Sequence, residues 1–345
     1  MQGNFGLSHS FIYGLGWIIH PKGVELMEKT TTYILAILVI LALAVAVFTF
    51  IAYQGEPDKF KGADLVDDMG YSLTLTSPPE RIVSLAPSNT EILFAIGAGD
   101  KVVGVTKYCN YPYNFTAWIA AGNMTSIGSY YNPTVEPIVV LEPDLILTTQ
   151  KSLESTENLR SLGYNVLVLA PKNVSDVLHN ILLVGRVTDR YNEAVAIESE
   201  LRQRIDAITN QTADATSTPK VYNEIWADPL QAAGPGTFID ELITLAGGEN
   251  IFNDATTNYP IVSSETIIEK NPDVMVFPDE YMGIAHYFES MEPENDRPGW
   301  GIISAVQNDR IYEINSDLIS RASPRLAEAL EILAKMIHPE IFGQP

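Results

Sequence analysis

The chain has 345 residues, 46% of them hydrophobic, so it is long enough for a membrane segment plus two ordinary domains and too apolar to be disordered. Its 21 basic and 43 acidic residues give a formal net charge of -22, which leaves no cationic surface for nucleic acid and is compatible with a plain acidic, soluble exterior. The single cysteine, Cys109, excludes an intramolecular disulfide and a thiolate metal cluster.

Residues 1–32 form an N-terminal segment in which 1–26 precede a second methionine, Met27. From Tyr33 to Tyr53 the chain carries no charge and is apolar on every helical face. At about 1.5 Å per residue it is long enough to cross a bilayer. The segment therefore reads as a membrane anchor, with a secretory signal as the alternative. No cysteine follows it to take a lipid. Four N-x-Ser/Thr sequons, at Asn114, Asn123, Asn173 and Asn210, permit an external location.

Residues 54–79 read as a polar lead-in with an exposed edge strand in Tyr71–Thr76. The first lobe, 80–174, opens on a strand in Arg81–Pro87. A helix follows that Ser88 and Thr90 can cap and that Gly97 and Gly99 stop. Val102–Thr106 is the next strand, then a capped helix, a proline break and a buried strand in PTVEPIVVLEPDLILTT, then Asn165–Ala170. Residues 175–209 keep apolar helical spacing through Val177, Leu178, Ile181, Leu201, Ile205 and Ile208, which predicts one long helix between lobes and little relative movement of them. The second lobe, 210–345, repeats the pattern: a strand in Lys220–Ala227, a Gly-Pro-Gly turn, a helix in TFIDELITLAGG, then helix, proline and strand in SSETIIEKNPDVMVF. Aligning Thr134–Leu147 with Ser263–Val276 puts Glu136 on Glu265, Pro143 on Pro272 and Asp144 on Asp273, an internal duplication. Alternating strands and helices predict an α/β protein of two Rossmann-like lobes, each with a mostly parallel sheet.

Catalytic signatures are missing. There is no P-loop and no G-x-S-x-G elbow, and GAGDKV lies after a helix instead of before one, so it reads as a stop. The five histidines show no metal-ligand spacing. No enzyme, metal or cofactor is expected.

Four blocks then carry a resemblance: Arg81–Pro112, Thr134–Leu147, Glu224–Phe252 and SDLISRASPRLAEAL from Ser316. In this order, across about residues 80–340, they resemble the cobalamin- and siderophore-binding proteins of ABC importers, nearest the cobalamin-binding members. The resemblance implies ligand held between the lobes, and partners in a permease dimer and its ATPase subunits. It implies that Glu136 and Glu265 dock into arginine pockets of the permease. As first-turn helical carboxylates they also have a purely structural reading. For the ligand it implies Tyr108, Tyr130, Trp226 and Tyr259 as cleft aromatics and Asp317 with Arg321 as a polar pair. Tyr130 and Tyr259 stand where those relatives carry tryptophans. The expected cargo is a corrinoid, the alternative a ferric siderophore or haem, and a cell-surface sensor or adhesion module is the third reading. The expected location is the outer face of the cell membrane, anchored by residues 33–53.

Overall fold

The computed structural model describes residues 33–34, 37–45, 64–131, 133–281, 284–285 and 297–345. The chain divides into two compact units, Met1–Asp58 and Lys59–Pro345. In the first, residues 33–34 and 37–45 are helical, and the rest of the expected span 33–53 lies outside the described residues. Among the described residues no helix is long and apolar enough to cross a membrane.

The second unit begins with an antiparallel hairpin, β1 (Asp64–Val66) against β2 (Ser72–Thr74). The strand expected within Tyr71–Thr76 is β2, with alternating burial, but the segment is no loose lead-in: Leu65, Leu73 and Leu75 are buried in the core. Asp67, at the hairpin turn, accepts from the backbone of Met69, Tyr71 and Val168 and pairs with Arg160 at 2.6 Å. Strand β1, the partner of β2, is too short for alternation to announce, and a buried aspartate looks polar in sequence.

Lobe one then runs β3 (Ile82–Ser84), α1 (Pro87–Ala95), β4 (Val102–Val105), α2 (Phe115–Ala120), β5 (Thr125–Ser126), α3 (Val135–Val140), β6 (Leu145–Thr148), α4 (Leu153–Ser161) and β7 (Val166–Val168). Its sheet is wholly parallel in the order β5-β4-β3-β6-β7. Pro87 opens α1 without a side-chain cap, so the cap expected from Ser88 or Thr90 is replaced by proline's fixed φ. Thr90 turns inward instead, bonding the Ala86 carbonyl and the Ser84 hydroxyl. Two sequon asparagines serve the fold itself, since Asn114 and Asn173 cap helices by accepting from the Ala117 and Asp176 N–H groups.

The predicted single helix over 175–209 is two helices, α5 (Val174–Val187) and α6 (Tyr191–Thr212). Asp189 takes a left-handed φ of 58° at the joint, and Arg190 N–H donates to the Gly185 carbonyl. The helices touch closely there: a Cβ on Gly185 would lie 2.3 Å from the Ala194 Cβ. Apolar periodicity persists on both sides of the joint, which is why spacing alone read through it. Alanine at 185 should gain about 1 kcal/mol of helix propensity and lose about 1–3 kcal/mol to overpacking. Gly185→Ala is therefore expected to lower the melting temperature by a few degrees, and a raised one would refute the contact.

Helix α6, about 33 Å long at 1.5 Å per residue, leads into lobe two. That lobe runs β8 (Lys220–Ala227), β9 (Leu230–Ala232), α7 (Phe238–Leu245), β10 (Glu249–Asn250), α8 (Ser264–Lys270), β11 (Val274–Pro278), β12 (Glu280–Tyr281), β13 (Ile284–Ala285), α9 (Ser304–Gln307), β14 (Ile311–Ile314), α10 (Ser316–Ser320), α11 (Leu326–Ile337) and α12 (Pro339–Phe342). Its main sheet is parallel in the order β10-β8-β11-β14, with β9 folded back antiparallel on β8.

The duplication read from sequence has a physical content. Asp144 accepts from the backbone N–H groups of Glu80 and Arg81, and Asp273 from that of Lys220, so each clamps the chain entering its lobe's first strand. Glu142 and Asn271, each before the matched proline, take the same left-handed turn with φ of 45° and 46°.

Candidate functional site

Parallel sheets leave their strand carboxyl ends open to a ligand. In lobe one the loops leaving β4, β5 and β6 carry Tyr108, then Tyr130 and Tyr131, then Lys151. Tyr108 and Tyr130 meet edge to face with centroids 5.4 Å apart, and Tyr130 lies 4.1 Å from Tyr131. The Ser152 hydroxyl holds this loop by donating to the Tyr130 carbonyl at 2.6 Å. Lys107 sits 5.0 Å from the Tyr108 ring, and Lys151 5.7 and 5.4 Å from Tyr130 and Tyr131. Such distances are in the range of cation–π attraction.

In lobe two, Trp226 stands at the carboxyl end of β8, its indole N–H donating to the Asp228 backbone carbonyl. Tyr259 lies in the loop between β10 and α8 and is half exposed. Burial pushes its hydroxyl above the ordinary value, and the neighbouring Tyr131 pushes it further. Burial likewise raises Tyr130, reinforced by Tyr131 and Tyr108 and opposed by Arg321. Both phenols are neutral at physiological pH, able to donate or accept a hydrogen bond.

Asp317 and Arg321 come from α10 and its C-cap and pair at 2.6 Å. They also grip lobe one. Arg321 donates to Asn110 Oδ1 at 2.7 Å and to the Tyr108 carbonyl at 3.2 Å, while Asn110 donates to Asp317 at 2.7 Å. Tyr108, Tyr130, Asp317 and Arg321 thus converge on the junction of the lobes, with Tyr131 packed on Tyr130. Tyr131, Lys107, Lys151 and Asn110 are the members that sequence reasoning passed over. Tyr131 had a signal, being the immediate neighbour of Tyr130.

Glu136 and Glu265 are exposed and each is the second residue of its helix, α3 or α8. Each of those helices precedes the strand that pairs beside its lobe's first strand, β6 on β3 and β11 on β8. The Glu265 backbone N–H and the Ser263 hydroxyl hold the Glu265 carboxyl below its usual range, so it stays ionised.

A sequence model of the periplasmic binding protein family matches residues 82–318, from β3 through α10. The chain belongs to that family. It is a substrate-binding protein of the ABC-importer class and not an enzyme. An ABC transporter substrate-binding lipoprotein of Bacillus subtilis is 31% identical over 286 residues, 81% of this chain and 86% of that one. The crystal structure of the periplasmic vitamin B12-binding protein of Vibrio cholerae superposes with a TM-score of 0.63 at 28% identity, covering 75% of this chain and 97% of that one. A periplasmic haem-binding protein of Roseiflexus gives a TM-score of 0.65 at 26% identity, covering 75% of this chain and 98% of that one.

Proposed function

We propose that the protein is the external substrate-binding component of an ABC importer, that it captures a corrinoid between its lobes, and that Glu136 and Glu265 dock it on the permease dimer. In this reading residues 33–53 anchor it to the membrane with the binding unit outside. The convergence of Tyr108, Tyr130 and Tyr131 with Arg321 at the lobe junction carries the reading. Stiff aromatic walls bury the broad face of a macrocycle at low entropy cost, and the amide and arginine groups meet its amide rim. The vitamin B12-binding relative of Vibrio cholerae supports the same cargo. A symmetric permease dimer suits two carboxylates in duplicated positions.

A second reading, an iron chelate or haem, draws on Lys107 and Lys151, which add positive charge beside the tyrosines and would meet anionic oxygens or propionates. The haem-binding relative of Roseiflexus accords with it. Full-length protein isolated from its own organism should carry corrinoid absorption bands, and Tyr130→Ala should lose most of them. A Soret band, or the charge-transfer band of a ferric catecholate, would overturn the corrinoid assignment in favour of the second reading.

A further inference from the structure

Glu91 lies in α1 of lobe one, and its carboxylate is buried. Its partners all come from lobe two. Oε1 accepts from Arg321 Nη1 and Arg325 Nη2, both at 2.9 Å, and Oε2 accepts from Arg325 Nε at 2.9 Å and the Ser323 hydroxyl at 2.7 Å. Asp317 balances the second guanidinium, so two carboxylates and two arginines close a neutral cluster. Tyr111, also of lobe one, stacks 4.2 Å from the Arg325 guanidinium. This pairing is a second tie between the lobes besides the chain through α5 and α6, and its Arg321 is the residue that reaches Tyr108 and Asn110.

We propose that Glu91 is a positioning residue for ligand capture: it latches lobe two to lobe one through Arg321, Ser323 and Arg325, sets the width of the empty cleft, and holds the Arg321 guanidinium in place. The latch is independent of which cargo binds; only its effect on capture rests on the cleft reading above. A buried ion cluster of this kind is a poor source of net stability but a directional one, because only one placement of the lobes satisfies all four acceptor contacts.

The test places spin labels at Val140→Cys in lobe one and Ile302→Cys in lobe two, both highly exposed, while Cys109 is buried. The distance distribution is measured in the unliganded full-length chain. The parent should give one narrow peak. Glu91→Gln, and Arg325→Gln as a second disruption should the first fail to fold, should broaden it and shift its mean. Arg160→Ala, which breaks a buried pair between lobe one and the β1–β2 hairpin without touching lobe two, lowers stability and should leave the peak unchanged. Cyanocobalamin affinity should fall about tenfold in Glu91→Gln and not in Arg160→Ala. Unchanged peaks in the folded Glu91 or Arg325 variant would overturn the latch. A shifted peak with no cyanocobalamin bound even by the parent would uphold the latch and remove the corrinoid reading instead.

Discussion

If Glu136 and Glu265 dock the permease as proposed, reversing both, Glu136→Arg with Glu265→Arg, is expected to abolish uptake through the transporter while ligand affinity stays within about twofold. Both side chains are exposed and, among the described residues, neither bonds the aromatic and arginine groups of the lobe junction, so the substitution leaves those walls intact. At the permease each carboxylate would meet a desolvated guanidinium, where loss of one partner costs about 2–5 kcal/mol and like charge adds repulsion. Two such losses amount to roughly a thousandfold or more in association, and the single reversals should fall between. Transport assays on reconstituted importer, run beside calorimetric titration of the same variants, separate the roles. A double variant that transports normally would remove the docking assignment. One that loses ligand affinity would place the glutamates in the binding site.

Arg160→Ala is expected to destabilise the second unit by about 3–5 kcal/mol, the range for removing one partner of a buried pair. Asp67 is fully buried and would be left without its cation, though three backbone N–H groups still reach it. Arg160 also stacks 3.8 Å from the Tyr71 ring and donates to the Val166 carbonyl, so the loss spreads from β7 to the β1–β2 hairpin. Urea denaturation followed by far-ultraviolet dichroism checks the magnitude. A change below about 1 kcal/mol would mean that the hairpin hangs on the lobe loosely, as an exposed lead-in would.

Much of the fold was legible because its signals are local. The strand Lys220–Ala227 appears with the bounds read from sequence, and the helix of TFIDELITLAGG runs from a Thr237 cap to left-handed Gly247. The matched Asp144 and Asp273 announced a repeat whose geometry proved to be a shared strand clamp. What escaped was set by distance in sequence or by a few residues. The joint at Thr188–Arg190 interrupts no apolar spacing, and one residue at positive φ suffices to turn the chain. Glu91 carried no local signal, since the arginines that neutralise it lie 230 and 234 residues away. For the site, the aromatic identities were readable one by one, whereas their meeting with Arg321 depends on how two lobes face each other.

Calorimetric titration of the full-length chain with cyanocobalamin bears most directly on the corrinoid cleft. Saturable binding of one ligand per chain is expected, weakened at least tenfold in Tyr130→Ala and in Tyr131→Ala. Absence of heat with cyanocobalamin, together with saturable binding of haem or a ferric siderophore under the same conditions, would contradict a corrinoid cleft.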